Sequence, residues 1–287
     1  MDGRQTRRQF LEAAGVGAAA ISVLGPSGCL AQAASEPAVP SEPKKYQIKL
    51  GLASYTTRKF TLEQTIAMCK RIGLEYIALK SFHMPLEAPK EEIEKAAAKV
   101  RDAGLKLYGA GVIYMKNPAE VNQAFNYARA AGIGMIIGAP TPDMLALTEE
   151  KVKEYDIKVA IHNHGPGDER YPTPESAYEK IKAMDKRLGL CIDIGHTQRY
   201  GLDPAEQIKK YADRLLDVHL KDVSAATAEG TTVEAGRGVI DLPKVLRTLK
   251  EVQYAYVAAF EHEKDENDPL AGLAESVGYV RGVLAVI

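Results

Sequence analysis

The chain is poor in cysteine, carries no excess of either charge and has no apolar run long enough to cross a bilayer. Its 287 residues include 3 cysteines, too few for a disulfide-stapled scaffold. Cys69 and Cys191 fall inside a predicted helix and a predicted strand and read as buried thiols. Lysine and arginine number 37 against 38 aspartates and glutamates, a net charge of −1. That balance argues against a general nucleic-acid binder, which needs a strongly basic face. The apolar stretch at residues 13–24 falls short of the ~20 residues of a membrane helix. No glycine-rich phosphate fingerprint is present, which weighs against an open, doubly wound sheet.

What is present begins with a leader. Thr6-Arg7-Arg8-Gln9-Phe10-Leu11 resembles a twin-arginine export signal, and Ala31-Gln32-Ala33 fits small-residue cleavage. Residues 1–33 are therefore read as a signal peptide, which implies a periplasmic protein with no stable membrane span after processing. Lipoprotein anchoring at Cys29 is disfavoured, because Pro26-Ser27-Gly28 lacks the aliphatic residue expected three before the cysteine. Residues 34–45, rich in Pro, Ser, Glu and Ala, read as a linker.

From Tyr46 onward, short apolar runs alternate with amphipathic stretches. Strands are expected at 48–53, 76–80, 106–110, 134–138, 158–162, 189–193, 216–220 and 256–261. Several are near-continuous hydrophobic runs, as in buried parallel strands. Gly73, Gly104 and Gly132 stand between a helical pattern and the next strand. Thr173-Pro174 and Asp203-Pro204 mark helix starts. Eight such βα units over about 240 residues predict a single (β/α)8 TIM barrel across residues 46–287.

All six histidines, His83, His162, His164, His196, His219 and His262, fall at or just beyond predicted strand C-termini. Asp193 and Glu261 do the same. In a barrel those ends form one face, the face that carries active sites. His162, Asp193, His219 and Glu261 come from four adjacent strands and can converge as two imidazoles and two carboxylates on a divalent cation. An isolated strand-end Asp193 would more simply cap the next helix. His262 or Glu263 would replace Glu261 if the register slipped. Strand alternation puts His162 and His164 on the same side, so one can bind metal and the other substrate. His196 is a candidate substrate donor, as are His83, Arg237 and Lys221, the last of which can also pair with Asp222. Tyr55 and Arg58 are candidate pocket walls. Lys80 ends an apolar strand beside the expected cation, where it can act as a general base or stabilise an oxyanion. Gly236, Gly238 and Asp241 read as shaping a turn.

Three segments taken together carry a family resemblance. Cys191-Ile192-Asp193-Ile194-Gly195-His196, Asp217-Val218-His219-Leu220-Lys221-Asp222 and Gly236-Arg237-Gly238-Val239-Ile240-Asp241, followed by Glu261, resemble the xylose-isomerase-like superfamily of sugar isomerases and epimerases. The resemblance implies a metal held by Glu, Asp, His and Glu from strands 5 to 8. Asp193, His219 and Glu261 match three of these, while His162 stands where many members carry Glu. In the epimerases of the family the two glutamates also act as acid and base on opposite faces of the substrate, and this chain keeps only Glu261 of that pair.

The expected activity is that of a metal-dependent sugar isomerase or epimerase working through an enediolate of a keto- or aldo-sugar, with Glu261, Lys80 and His162 as catalytic candidates. A 3-keto-glycoside lyase or hydratase on the same site is the alternative. A non-catalytic sugar-binding barrel and an abasic-site endonuclease are remote ones. Mn²⁺ is the family-weighted cation, and the second imidazole raises Zn²⁺ and Co²⁺ over Mg²⁺. The expected partner is a small carbohydrate, free or glycosidic given export, rather than nucleic acid. A homo-oligomer is compatible with the sequence.

Overall fold

A computed structural model describes residues 47–287. The signal peptide, the linker, Cys29 and Tyr46 lie outside the described residues.

Eight parallel strands close into a barrel. They are β1 (Lys49–Ala53), β2 (Tyr76–Leu79), β3 (Lys106–Met115), β4 (Met135–Pro140), β5 (Lys158–His162), β6 (Leu188–Asp193), β7 (Leu215–Leu220) and, after a small hairpin of β8 (Asp222–Val223) and β9 (Thr232–Val233), β10 (Val257–Phe260). β10 pairs with β7 on one side and β1 on the other, which shuts the ring. Helices return the chain between strands: α1 (Leu62–Arg71), α2 (Lys90–Asp102), α3 (Pro118–Ala131), α4 (Leu145–Tyr155), α5 (Pro174–Ile181), α6 (Ile194–Arg199), α7 (Pro204–Lys210), α8 (Leu242–Glu251) and α9 (Leu270–Val286). Among the described residues no helix is long and apolar enough to cross a membrane.

Local chemistry explains the boundaries. The Thr173 hydroxyl accepts from the Ser176 amide to cap α5, and the Asp203 carboxylate accepts from Ala205 and Glu206 to cap α7, each with proline in the first turn. Gly73, Gly104 and Gly132 take φ of +70°, +86° and +62° between helix and strand, a conformation that favours glycine. On α8, Leu242, Val245, Leu246 and Leu249 form the buried stripe. Cys69 and Cys191 are free, buried thiols.

Two departures from the sequence expectation matter. β3 runs to Met115 instead of stopping at 110. The ladder with β4 shifts register between Gly111 and Ile113 and then resumes to Met115–Pro140. The shift breaks the simple alternation that would have marked the strand. The β8–β9 hairpin was not foreseen, since two-residue strands carry no periodicity.

Arg214 closes the opposite end. Its guanidinium is 4 % exposed and donates to the carbonyls of Lys182, Met184, Asp185 and Leu188 at 2.8–3.0 Å. The chain between α5 and β6 therefore wraps a buried cation. Arg214→Met should leave these acceptors without a donor and destabilise the fold by about 3 kcal/mol. Urea unfolding of the two proteins measures it.

Candidate metal centre

The barrel register brings the four candidate ligands together. β5 ends at His162 and β6 at Asp193. His219 lies directly opposite Asp193 in the β6–β7 ladder. Glu261 follows β10, held by its amide donating to Leu220 O at 3.1 Å. The ligand atoms of all four residues lie within 4.8 Å of one another. His162 Nε2 is 3.1 Å from His219 Nδ1 and 3.6 Å from Asp193 Oδ2, and His219 Nδ1 is 3.3 Å from Glu261 Oε2. All four side chains are buried.

The two readings of Asp193 prove compatible. Oδ1 accepts from the His196 amide at 2.7 Å and caps α6. Oδ2 is buried with no hydrogen-bond partner, as is His162 Nδ1. Buried polar atoms are rarely left so. A charged donor set of two nitrogens and two carboxylates with an orphaned oxygen facing inward fits a divalent cation. The hard oxygens and borderline imidazoles suit Mn²⁺, Zn²⁺ or Co²⁺.

Lys221, read from the sequence as a substrate donor or a partner of Asp222, comes to the ligand cluster. Its ammonium lies 3.2 Å from Asp193 Oδ2 and 2.9 Å from Glu261 Oε2, and also bonds Glu263. It does not pair with Asp222. Gly195 makes this possible, because a Cβ there would come within 2.8 Å of the Lys221 stem. Asp222 instead accepts from the amides of Val223, Gly236, Gly238 and Ile240 at 2.9–3.2 Å. A Cβ on Gly238 would fall 2.1 Å from Asp222 Oδ1, so the Gly-x-Gly segment exists to wrap that carboxylate. Asp241 caps α8.

The charge states follow from burial against neighbours. Burial opposes ionisation of Asp193, but Lys221 and the surrounding histidines hold its pKa low. The same contest leaves Glu261 well below the usual range, with Lys221 and His219 as the stabilising partners. Burial works against the Lys221 ammonium too, yet Asp193, Glu261 and Glu263 raise its pKa well above normal. It is a fixed cation. Burial pushes His162 well down and keeps it neutral. Burial also opposes the charged form of His219, but Glu261 and Asp217 win and its pKa is raised.

Around this centre, His164 sits with its ring 4.5 Å from that of His162, stacked on Tyr114 and with Nδ1 3.4 Å from Asp168 Oδ2. The His196 ring is 5.9 Å from His162. Burial lowers both pKa values. Lys80 is half-buried, its ammonium 5.0 Å over the Tyr55 ring, and burial lowers its pKa while Glu261 and Glu263 pull the other way. Arg58 also lies over the Tyr55 ring, 4.7 Å from its centroid, and pairs with Glu266. His83 is placed differently. Its ring nitrogens are engaged by Ser54 Oγ, Thr65 Oγ1 and Phe60 O at 2.9–3.1 Å, so it ties the loops after β1 and β2 together. Arg237 is exposed and paired with Glu275 on α9. Tyr114 and Asp168 went unrecognised, Tyr114 because β3 was read too short. Asn163 also went unrecognised. It accepts from the Asp193 amide and donates to Thr197, and its place in His162-Asn163-His164 was the available signal.

Comparisons with known proteins agree with the geometry. The sequence profile of the xylose isomerase-like TIM barrel family matches residues 143–283, the half of the chain that supplies every ligand. The closed parallel barrel and this match make the chain similar to that family over its C-terminal part. Among curated relatives, the rhizopine catabolism protein MocC of Rhizobium meliloti is 29% identical over 134 residues, covering 41% of this chain and 40% of that protein. The inosose dehydratase of Clostridium tetani is 29% identical over 153 residues, 47% of this chain and 50% of the enzyme. The matches thus span about half or less of these relatives' length. Among solved structures, the IOLI protein with a bound zinc atom superposes with a TM-score of 0.69 at 18% identity, covering 83% of this chain and 98% of that one.

The raised His219 pKa has a consequence for cation uptake. A metal-binding imidazole must be unprotonated, so binding at neutral pH expels the His219 proton. Affinity should fall as pH drops through the neutral range and level off above it. Calorimetric titration in buffers of different ionisation enthalpy should show proton release on cation binding that is greatest at low pH and shrinks as pH rises past the raised His219 pKa.

Proposed function

We propose that this chain is a divalent-cation-dependent enzyme that removes the proton α to the carbonyl of a keto-sugar or keto-polyol and completes the reaction by eliminating the β-oxygen substituent. The observation that carries this is the set of four converging ligand atoms within 4.8 Å of one another, with Asp193 Oδ2 held by the Lys221 ion pair and by no hydrogen bond. The kinship with inosose dehydratases and with MocC supports the elimination outcome.

His162, Asp193, His219 and Glu261 would hold the cation, which when bound polarises the substrate carbonyl and stabilises the negative charge that develops on its oxygen. The residues then divide the work. Lys80, whose pKa burial lowers, is the proton acceptor at the α-carbon. Glu261, held ionised, is the second candidate for that proton. Lys221 cannot exchange a proton near neutrality and serves as fixed positive charge. The C–H electron pair moves into the carbon–carbon bond while charge builds on the carbonyl oxygen. On its return the β carbon–oxygen bond breaks, and the leaving oxygen takes the proton from the Lys80 ammonium formed in the first step, while His164, whose Nδ1 faces Asp168, orients that oxygen. Isomerisation, with reprotonation at the neighbouring carbon, uses the same first step and is the second reading. Two-base epimerisation is disfavoured, because His162 occupies the position of the second glutamate.

The N-terminal residues support export by the twin-arginine route. The substrate is then a free or glycosidic sugar rather than a phosphorylated one. Mn²⁺, Zn²⁺ or Co²⁺ is the proposed cation, in line with the zinc carried by the IOLI neighbour.

Purified full-length protein should carry about one equivalent of a transition metal, and His219→Ala should lose it. In D2O, NMR should show deuterium entering a keto-cyclitol or 3-keto-glycoside at the α-carbon, followed by the unsaturated product. Lys80→Met should slow exchange by at least about 100-fold. Absence of metal after reconstitution, or undiminished exchange in His219→Ala, would overturn the proposal.

A further inference from the structure

Beneath the ligand ring lies a buried carboxylate that the mechanism does not use. Asp217 precedes His219 by two residues on β7, so strand alternation points both into the barrel. Asp217 is fully buried. Its Oδ1 accepts from Tyr108 Oη at 3.2 Å, and its Oδ2 accepts from Cys191 Sγ at 3.3 Å. Tyr108 stands on β3, which is not a neighbour of β7 in the ring, so this bond spans the barrel interior. Asp217 Oδ2 also lies 3.5 Å from His219 Nε2. The other ring nitrogen, Nδ1, is the one that faces His162, Asp193 and Glu261.

A carboxylate is costly at such a depth. Its partner Tyr108 packs against the small apolar cluster of Ala53, Val257 and Ala259. Among the described residues, no lysine or arginine is paired with Asp217. The cationic or proton-donating ring that gains from it is His219. A histidine that ligates through one nitrogen needs the proton on the other, and a carboxylate behind it fixes that tautomer and the ring orientation.

We propose that Asp217, clamped across the barrel by Tyr108 and Cys191, is the positioning residue that holds the proton of neutral His219 on Nε2 and presents Nδ1 to the cation. The proposal rests on the metal-centre reading for its consequence. The tautomer itself is a property of the metal-free chain, and this separates the two tests.

The experiment uses full-length protein labelled with ¹⁵N-histidine, metal-free, at an alkaline pH where the ¹⁵N shifts themselves show the ring to be neutral. Long-range ¹H–¹⁵N spectra report which nitrogen carries the proton. Zn²⁺ and Co²⁺ dissociation constants follow from chelator competition. Wild type should show His219 as the Nε2–H form. Asp217→Leu should shift the ring toward a mixture and weaken both cations by about 10- to 100-fold. Asp217→Asn, which keeps an acceptor, should fall between. Tyr108→Phe frees one carboxylate oxygen without touching β7 and should weaken binding several-fold, which keeps the idea testable if the Asp217 variants fold poorly. An Nδ1–H ring in wild type overturns the proposal. Folded Asp217→Leu with wild-type tautomer and affinity does so too. A wild type with the Nε2–H ring that binds no cation would sink the metal-centre reading and leave the positioning role intact.

Discussion

The charge balance at the barrel mouth governs the rest of this structure. Asp193, Glu261 and Glu263 bring three carboxylates to one ammonium, that of Lys221. Two of those carboxylates are fully enclosed. Buried carboxylates are tolerable only when countered at short range, and Lys221 is the counter-charge the chain itself supplies. It reaches them only because Gly195 leaves room for its stem and because Asp222, the next residue, is turned away to bind four backbone amides. The hairpin, the Gly-x-Gly turn and the first turn of α6 are thus parts of one electrostatic arrangement.

The barrel supplies the geometry this arrangement needs. Adjacent parallel strands lie a few ångströms apart, so residues at matched heights on β5, β6, β7 and β10 meet without any loop having to reach for them. The direct pairing of Asp193 with His219 is a ladder contact. Function here sits on rigid elements, and the loops supply the surrounding wall: Lys80 after β2, His164 after β5, Glu263 after β10. Tyr114 adds the end of an over-long β3, stacked on His164.

Much of this was legible in the sequence because the signals were periodic. Helix–glycine–strand punctuation is a local property, and it located the eight barrel strands to within a few residues except at β3. The ligand set was legible for a related reason: position at a strand end is fixed by the strand. What was illegible depended on three-dimensional partners. His83 carries the same strand-end signature as His162, but Ser54 and Thr65, distant in sequence, claim its ring. Lys221 lies beside Asp222 in the chain, yet the two side chains leave the strand on opposite faces. Arg237 stands within a motif whose glycines are structural, and it simply pairs outward with Glu275. Asp217 was the avoidable omission, since a charged residue two before a candidate ligand on a buried strand must point into the same interior.

The histidine at position 162 changes what the site can accept. With His162 neutral, Asp193, Glu261 and Glu263 outweigh Lys221 by two negative charges, which a divalent cation offsets. A glutamate there would leave the loaded site with a net negative charge and a second carboxylate able to take a proton from substrate. The imidazole removes both. A neutral loaded site resists a carbanionic intermediate less than an anionic one does, because the new charge is not stacked on an existing one. The two candidate proton acceptors, Lys80 and Glu261, are unequal in kind: an amine whose charge burial disfavours, and a carboxylate tied to Lys221. That asymmetry suits a reaction in which a proton is taken at one atom and returned to a different one, as in elimination or isomerisation, better than one that returns it to the opposite face of the same carbon.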